Sequence, residues 1–198
     1  MTGLLAIYAF DDIWRVGKHV YYGLLALQHR GQGLVKIYSL SNSGIAEGEV
    51  REVTQEHLME LSGWSMTAAV FPEYVDVDRY SYLAEGPNLE LAVLLDSSPQ
   101  GPSAEEVAKL VLSKALESDL LRAVEEVVPN LKGVNNLLVM SSAGEVVAYR
   151  STPGLRPLVV GSYGFDMVII SSEAPAVSII GCLLYTSDAA DELDGVDL

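Results

Sequence analysis

The side chains able to do chemistry are few in this 198-residue chain. Its three histidines, His19, His29 and His57, lack the spacing of a metal-ligand set. They read as structural residues, so no metal is expected. No glycine-rich loop of the phosphate-cradling kind is present, and no cofactor is expected. Glu73, Asp76 and Asp78 make an acidic stretch that reads as a solvated face. The single Cys182 cannot close an internal disulfide, which points to a reducing, cytoplasmic compartment. The 27 acidic residues outweigh 12 basic ones, for a net charge of -15. That argues against non-specific nucleic-acid binding, which needs a positive surface. No apolar run approaches the roughly 20 residues of a membrane span. Met1–Phe10 lacks the basic start and cleavage pattern of a signal peptide.

The elements that must position these groups follow from periodicity. Leu4–Ala9 is an apolar run without helical period and reads as a buried strand. Val16–His29 places Val16, Val20, Leu24 and Leu27 at helical spacing, with Gly31 as a stop. Leu34–Leu40 and Gly44–Val50 flank Ser41-Asn42-Ser43 as a hairpin. Thr54 caps a short helix to Leu61. Ser65–Phe71 and Leu89–Leu95 are further strands, and Pro72–Asn88 between them reads as an irregular loop. Ser103 and Glu106 form a capping box ahead of a helical region. That region breaks near Ser118 and runs to about Val128. Asn136–Met140 with Glu145–Tyr149, and Leu158–Gly161 with Met167–Ser171, are two more hairpins. Hairpin strands interleaved with helices make the class α+β.

Cys182–Leu198 reads CLLYTSDAADELDGVDL. It matches, in one frame, the translation of the mosaic-end adapter of transposase-based sequencing libraries. We expect this tail to be non-native and to add nothing to folding. The domain then comprises residues 1–181, truncated, and the native protein continues past Gly181.

Three segments, in order, resemble one family. Tyr21–Gln32 (YYGLLALQHRGQ) closely resembles the YxGLxxLQHRGQ segment of amidophosphoribosyltransferases. Pro153–Leu158 (PGLRPL) resembles their NGLRPL segment, and Ser171-Ser172-Glu173 their ASE segment. Leu131-Lys132-Gly133 fits their LKGAY stretch. The resemblance implies a class II glutamine amidotransferase domain with the N-terminal-nucleophile hydrolase fold. That fold is a four-layer αββα sandwich with two antiparallel sheets. It also implies a role in purine biosynthesis and, as partner, a phosphoribosyltransferase domain or subunit that lies beyond this stretch. An oligomer is compatible with it.

The resemblance also names site positions. The family's nucleophile is a Cys after the initiator Met, and its freed α-amine acts as base. Here that position is Thr2. Threonine is small enough for Met1 to be removed, and N-terminal Thr serves as nucleophile elsewhere in the superfamily. Arg30 matches the arginine beside the nucleophile. We read it as structural, an arginine at a helix end that pairs with acids. The substrate-facing positions have changed. Phe71 stands where an arginine clamps the glutamine carboxylate, and a Phe makes no bidentate pair. Leu94 and Leu95 stand where an Asn and a Gly form the oxyanion hole, whose loss costs roughly 3–4 kcal/mol. Asp96 follows, and a carboxylate repels an oxyanion. Ala104 stands where an Asp meets the substrate amine. Two functions follow: a domain whose glutaminase site is retired, or an active N-terminal Thr hydrolase of glutamine or another amide. On the first, the cleft beside Thr2 and Arg30 should be less polar than in a working glutaminase, since Phe71, Leu94 and Leu95 replace Arg, Asn and Gly.

Overall fold

The computed structural model describes residues 2–152, 154–181 and, by backbone, 183–185. Pro153 of the PGLRPL segment, and Cys182 and 186–198 of the tail, lie outside the described residues. In chain order the first elements are β1 (Gly3–Ala9), α1 (Gly17–Leu27), β2 (Val35–Ser41), β3 (Gly44–Val50), α2 (Gln55–Glu60) and β4 (Ser65–Val70). Then come β5 (Ser81–Glu85), β6 (Glu90–Ser97), α3 (Ala104–Ala115), α4 (Leu120–Val127), β7 (Val134–Ser141) and β8 (Val146–Arg150). The last are β9 (Val159–Tyr163), β10 (Met167–Ser171), α5 (Ala174–Ile179) and β11 (Leu183–Tyr185).

Two antiparallel sheets result, with orders β11-β9-β10-β1-β4-β2-β3 and β5-β6-β7-β8. Strand alternation sorts the core into three layers, because successive side chains point to opposite faces. On one face of the large sheet, Leu5, Ile7 and Ile169 pack on Val16, Val20, Leu24 and Leu27 of the α1 stripe. Between the sheets lie Leu4, Tyr38, Ala69, Phe71, Leu94 and Leu138. On the far face of the small sheet, Val93, Leu95 and Val139 meet Val107, Val111 and Val124 of α3 and α4. The architecture is therefore αββα, with β1 in the middle of the large sheet.

The caps formed as the sequence required. Thr54 accepts from the His57 amide, and Ser103 and Glu106 cap α3 reciprocally. One expectation needs correction. Pro72–Asn88 is not wholly irregular, since Ser81–Glu85 pairs with β6 as β5. Tyr82 faces the helices and Leu83 the inter-sheet core, so both faces are covered. Such a strand shows no hydrophobic alternation. In the tail, which shows no strand period, Leu183–Tyr185 pairs as β11 with the otherwise open edge of β9.

Candidate functional site

The chain start runs into the cleft between the sheets. Gly3 pairs with Val70, and continuing that register places Thr2 opposite Phe71. Thr2 is buried, and Phe71 is fully buried in the inter-sheet core. The start of β1 is pinned by the Ser171-Ser172-Glu173 segment. The Leu4 amide donates to Ser172 Oγ (3.0 Å), the Ser172 amide donates to the Leu4 carbonyl (2.9 Å), and Ser171 Oγ donates to that same carbonyl (3.3 Å). Arg30 arrives from the end of α1. A Cβ built on Gly3 would lie 3.4 Å from Arg30 Cβ, so the chain start and the helix end meet. Gly31 is required there by close approach: a Cβ on it would sit 2.4 Å from the Phe71 carbonyl carbon.

Glu173 pairs with the residues that follow α1. Arg30 donates through Nε to Glu173 Oε1, and His29 Nε2 lies 2.7 Å from Glu173 Oε2. His29 Nδ1 lies 3.0 Å from the Ala26 carbonyl, which fixes the ring. Burial pushes the Glu173 carboxyl up, but the His29 and Arg30 hydrogen bonds outweigh it and hold the group below the usual range. An open cleft of about 540 Å³ lies here, lined by Gln28, His29, Arg30, Pro72, Tyr74 and Glu173.

Between the sheets, the inward-facing rows of β6 and β7 end in polar residues. Asp96 continues the inward-facing row of β6 beyond Leu94, and Asn136 continues that of β7 beyond Leu138; the two are register partners. Arg156, from the GLRPL segment, donates through Nη1 to Asp96 Oδ1. Asn136 Nδ2 donates to the Pro157 carbonyl (3.1 Å). Asp96 is buried, and burial raises its pKa despite the opposing Arg156 and Arg30 charges. Sequence reasoning noted Asp96 only as an unsuitable oxyanion neighbour and missed Asn136 and Arg156. The available signal was polar residues interrupting apolar strands.

Of the named positions, Thr2, Phe71 and Leu94 come together at the inter-sheet layer, and Arg30 meets the start of β1 from the α1 side. Leu95 and Ala104 do not join that layer. Leu95 is one residue out of phase and faces α3 and α4. Ala104 opens α3 and is buried in that same outer layer.

The layered sandwich, with its chain start in the inter-sheet cleft, is the N-terminal-nucleophile hydrolase fold of glutamine amidotransferase domains. Curated proteins similar to this chain are amidophosphoribosyltransferases. The Methanocaldococcus jannaschii enzyme is 26% identical over 217 aligned residues, covering 96% of this chain and 44% of its own. The Archaeoglobus fulgidus enzyme is 29% identical, covering 91% and 45%. Among solved structures, the glutamine phosphoribosylpyrophosphate amidotransferase of B. subtilis, complexed with ADP and GMP, superposes with a TM-score of 0.73 at 22% identity. It covers 92% of this chain and 44% of its own. No family model matches. The chain thus spans less than half the length of these relatives. No helix among the described residues is long and apolar enough to cross a membrane.

Proposed function

We propose that this chain is a glutamine amidotransferase-type domain whose glutaminase site is retired. It serves as a scaffold or regulatory module of an amidophosphoribosyltransferase-like protein in the cytoplasm. The observation that carries the reading is Phe71, fully buried against the inter-sheet core opposite Thr2. The neighbour of the nucleophile position is an apolar packing residue, where a carboxylate clamp would be needed. Leu94 on the facing sheet supports it, since its side chain donates no hydrogen bond to an oxyanion. The greater length of the relatives supports a transferase domain or subunit as the partner. Residues 1–181 are the native part in this reading, and 182–198 the adapter-derived tail. The test is glutamine hydrolysis by the purified chain. We expect glutamate release at the level of a heat-killed control. Release well above it, abolished by Thr2→Ala, overturns the proposal.

A second reading is an active N-terminal Thr hydrolase. The polar pair between the sheets, Asp96 and Asn136, favours it, because a fully retired site has no need to bury such groups. Turnover of any amide from a substrate panel, lost in Thr2→Ala, would select it.

A further inference from the structure

Two buried oxygen acceptors between the sheets have no hydrogen-bond donor: Asp96 Oδ2 and Asn136 Oδ1. They belong to register partners on adjacent strands and share the inter-sheet face. Side chains so placed lie within about 5 Å at Cβ, close enough to touch. Neither group can relieve the other by turning. Asn136 Nδ2 is committed to the Pro157 carbonyl at 3.1 Å, so a flip of the amide would orphan that carbonyl. Asp96 Oδ1 is committed to Arg156 Nη1. Leaving two buried acceptors on paired side chains without a donor is costly, and a single donor between them removes both costs.

We infer that Asp96 is a buried proton-binding site, in which the carboxylic acid donates from Oδ2 to Asn136 Oδ1 while Oδ1 still accepts from Arg156. One proton satisfies both acceptors and keeps every existing bond. The charged groups acting on Asp96 are Arg156 from the segment after β8, Arg30 from the end of α1, and the positive charge of the amino terminus. All three favour the carboxylate, and burial opposes them and prevails. The site therefore has two states. The ionised form binds Arg156 more strongly, as a charge-assisted bond. The protonated form joins β6 to β7 through the side chains and loosens the hold on the Gly154–Leu158 segment. The proton thus sets how firmly that segment is tied to β6. This does not depend on whether the cleft hydrolyses anything.

The test uses the full chain. A group raised on folding stabilises at low pH and loses that contribution as pH rises through its folded value. Asp96→Asn mimics the protonated state, with its amide donating to Asn136 Oδ1. The variant should melt higher than the parent at and above neutral pH, and the gap should close as pH falls. In the unsubstituted protein, the carboxyl carbon of Asp96, followed by NMR, should titrate above the ordinary aspartate range. A variant that melts lower at every pH, or a carbon that titrates in or below the ordinary range, overturns the inference and leaves a bridging water as the donor. If Asp96→Asn does not fold, the carbon titration decides alone.

Discussion

Arg30 donates to Glu173, and this contact joins the end of α1 to the start of α5. Glu173 occupies the N-cap position of α5, yet its side chain does not cap the helix. Its carboxylate is turned to Arg30 and His29 instead. A cap contributes about 1 kcal/mol, whereas hydrogen bonds to a charged group contribute roughly 1.5–3 kcal/mol each. The trade favours the cross-element contact.

Glu173→Gln should therefore cost about 1–3 kcal/mol at neutral pH in urea unfolding. The Glu173 carboxyl is held below its usual range on folding. Its stabilisation is present above the unfolded value of about 4.3 and is lost as pH falls through the folded value. The gap between parent and variant should close in that acid window. A gap that persists there would assign the loss to packing and not to charge.

Phe71→Arg restores the residue type that the resemblance places there, and it should not restore a clamp. The position is fully buried beside Leu4, Ala69 and Leu94. An unpaired guanidinium there costs on the order of 4 kcal/mol or more. Phe71→Leu, which only leaves a cavity, should cost about 1–2 kcal/mol. Equal denaturation midpoints for Phe71→Arg and the parent would show that the position opens to solvent.

The fold was legible because its periods are clean. The Val16/Val20/Leu24/Leu27 stripe, the apolar run of β1 and the Ser103–Glu106 box each pointed to the element that formed. β5 was illegible because both its faces are covered, which erases alternation. At the site, motif alignment brought Thr2, Arg30 and Phe71 together but gave no facing direction. Leu94 and Leu95 differ by one residue and face opposite layers, a distinction that only the strand's phase supplies. The Asp96–Arg156 pair joins residues 60 positions apart, and no local pattern announces such a contact.

Thr2→Cys should leave glutamine hydrolysis at background. The substitution supplies a better nucleophile but no carboxylate clamp and no oxyanion donor. Phe71 and Leu94 remain packed in the inter-sheet core. Activity gained by this single change would mean that another donor, such as the Asn136 amide, reaches the reacting carbonyl.

The tail separates into two parts that truncation can distinguish. Leu183, Leu184 and Tyr185 pair with Ser162, Gly161 and Val160, at the edge of the large sheet. Ending the chain at Gly181 removes these pairs and leaves β9 as an open edge. A few solvent-accessible edge hydrogen bonds contribute little net, so the cost should be on the order of 1–2 kcal/mol. Ending it at Tyr185 keeps the pairs and removes a stretch with five acids and no bases, which has no strand or helix period. In this acidic chain, that loss relieves like-charge repulsion, and stability should hold or rise slightly. Thermal melts of the two truncations beside the full chain read the difference directly. If the chain ending at Gly181 melts with the parent, the β11 pairing contributes nothing; if the chain ending at Tyr185 melts several degrees lower, the acidic stretch itself packs.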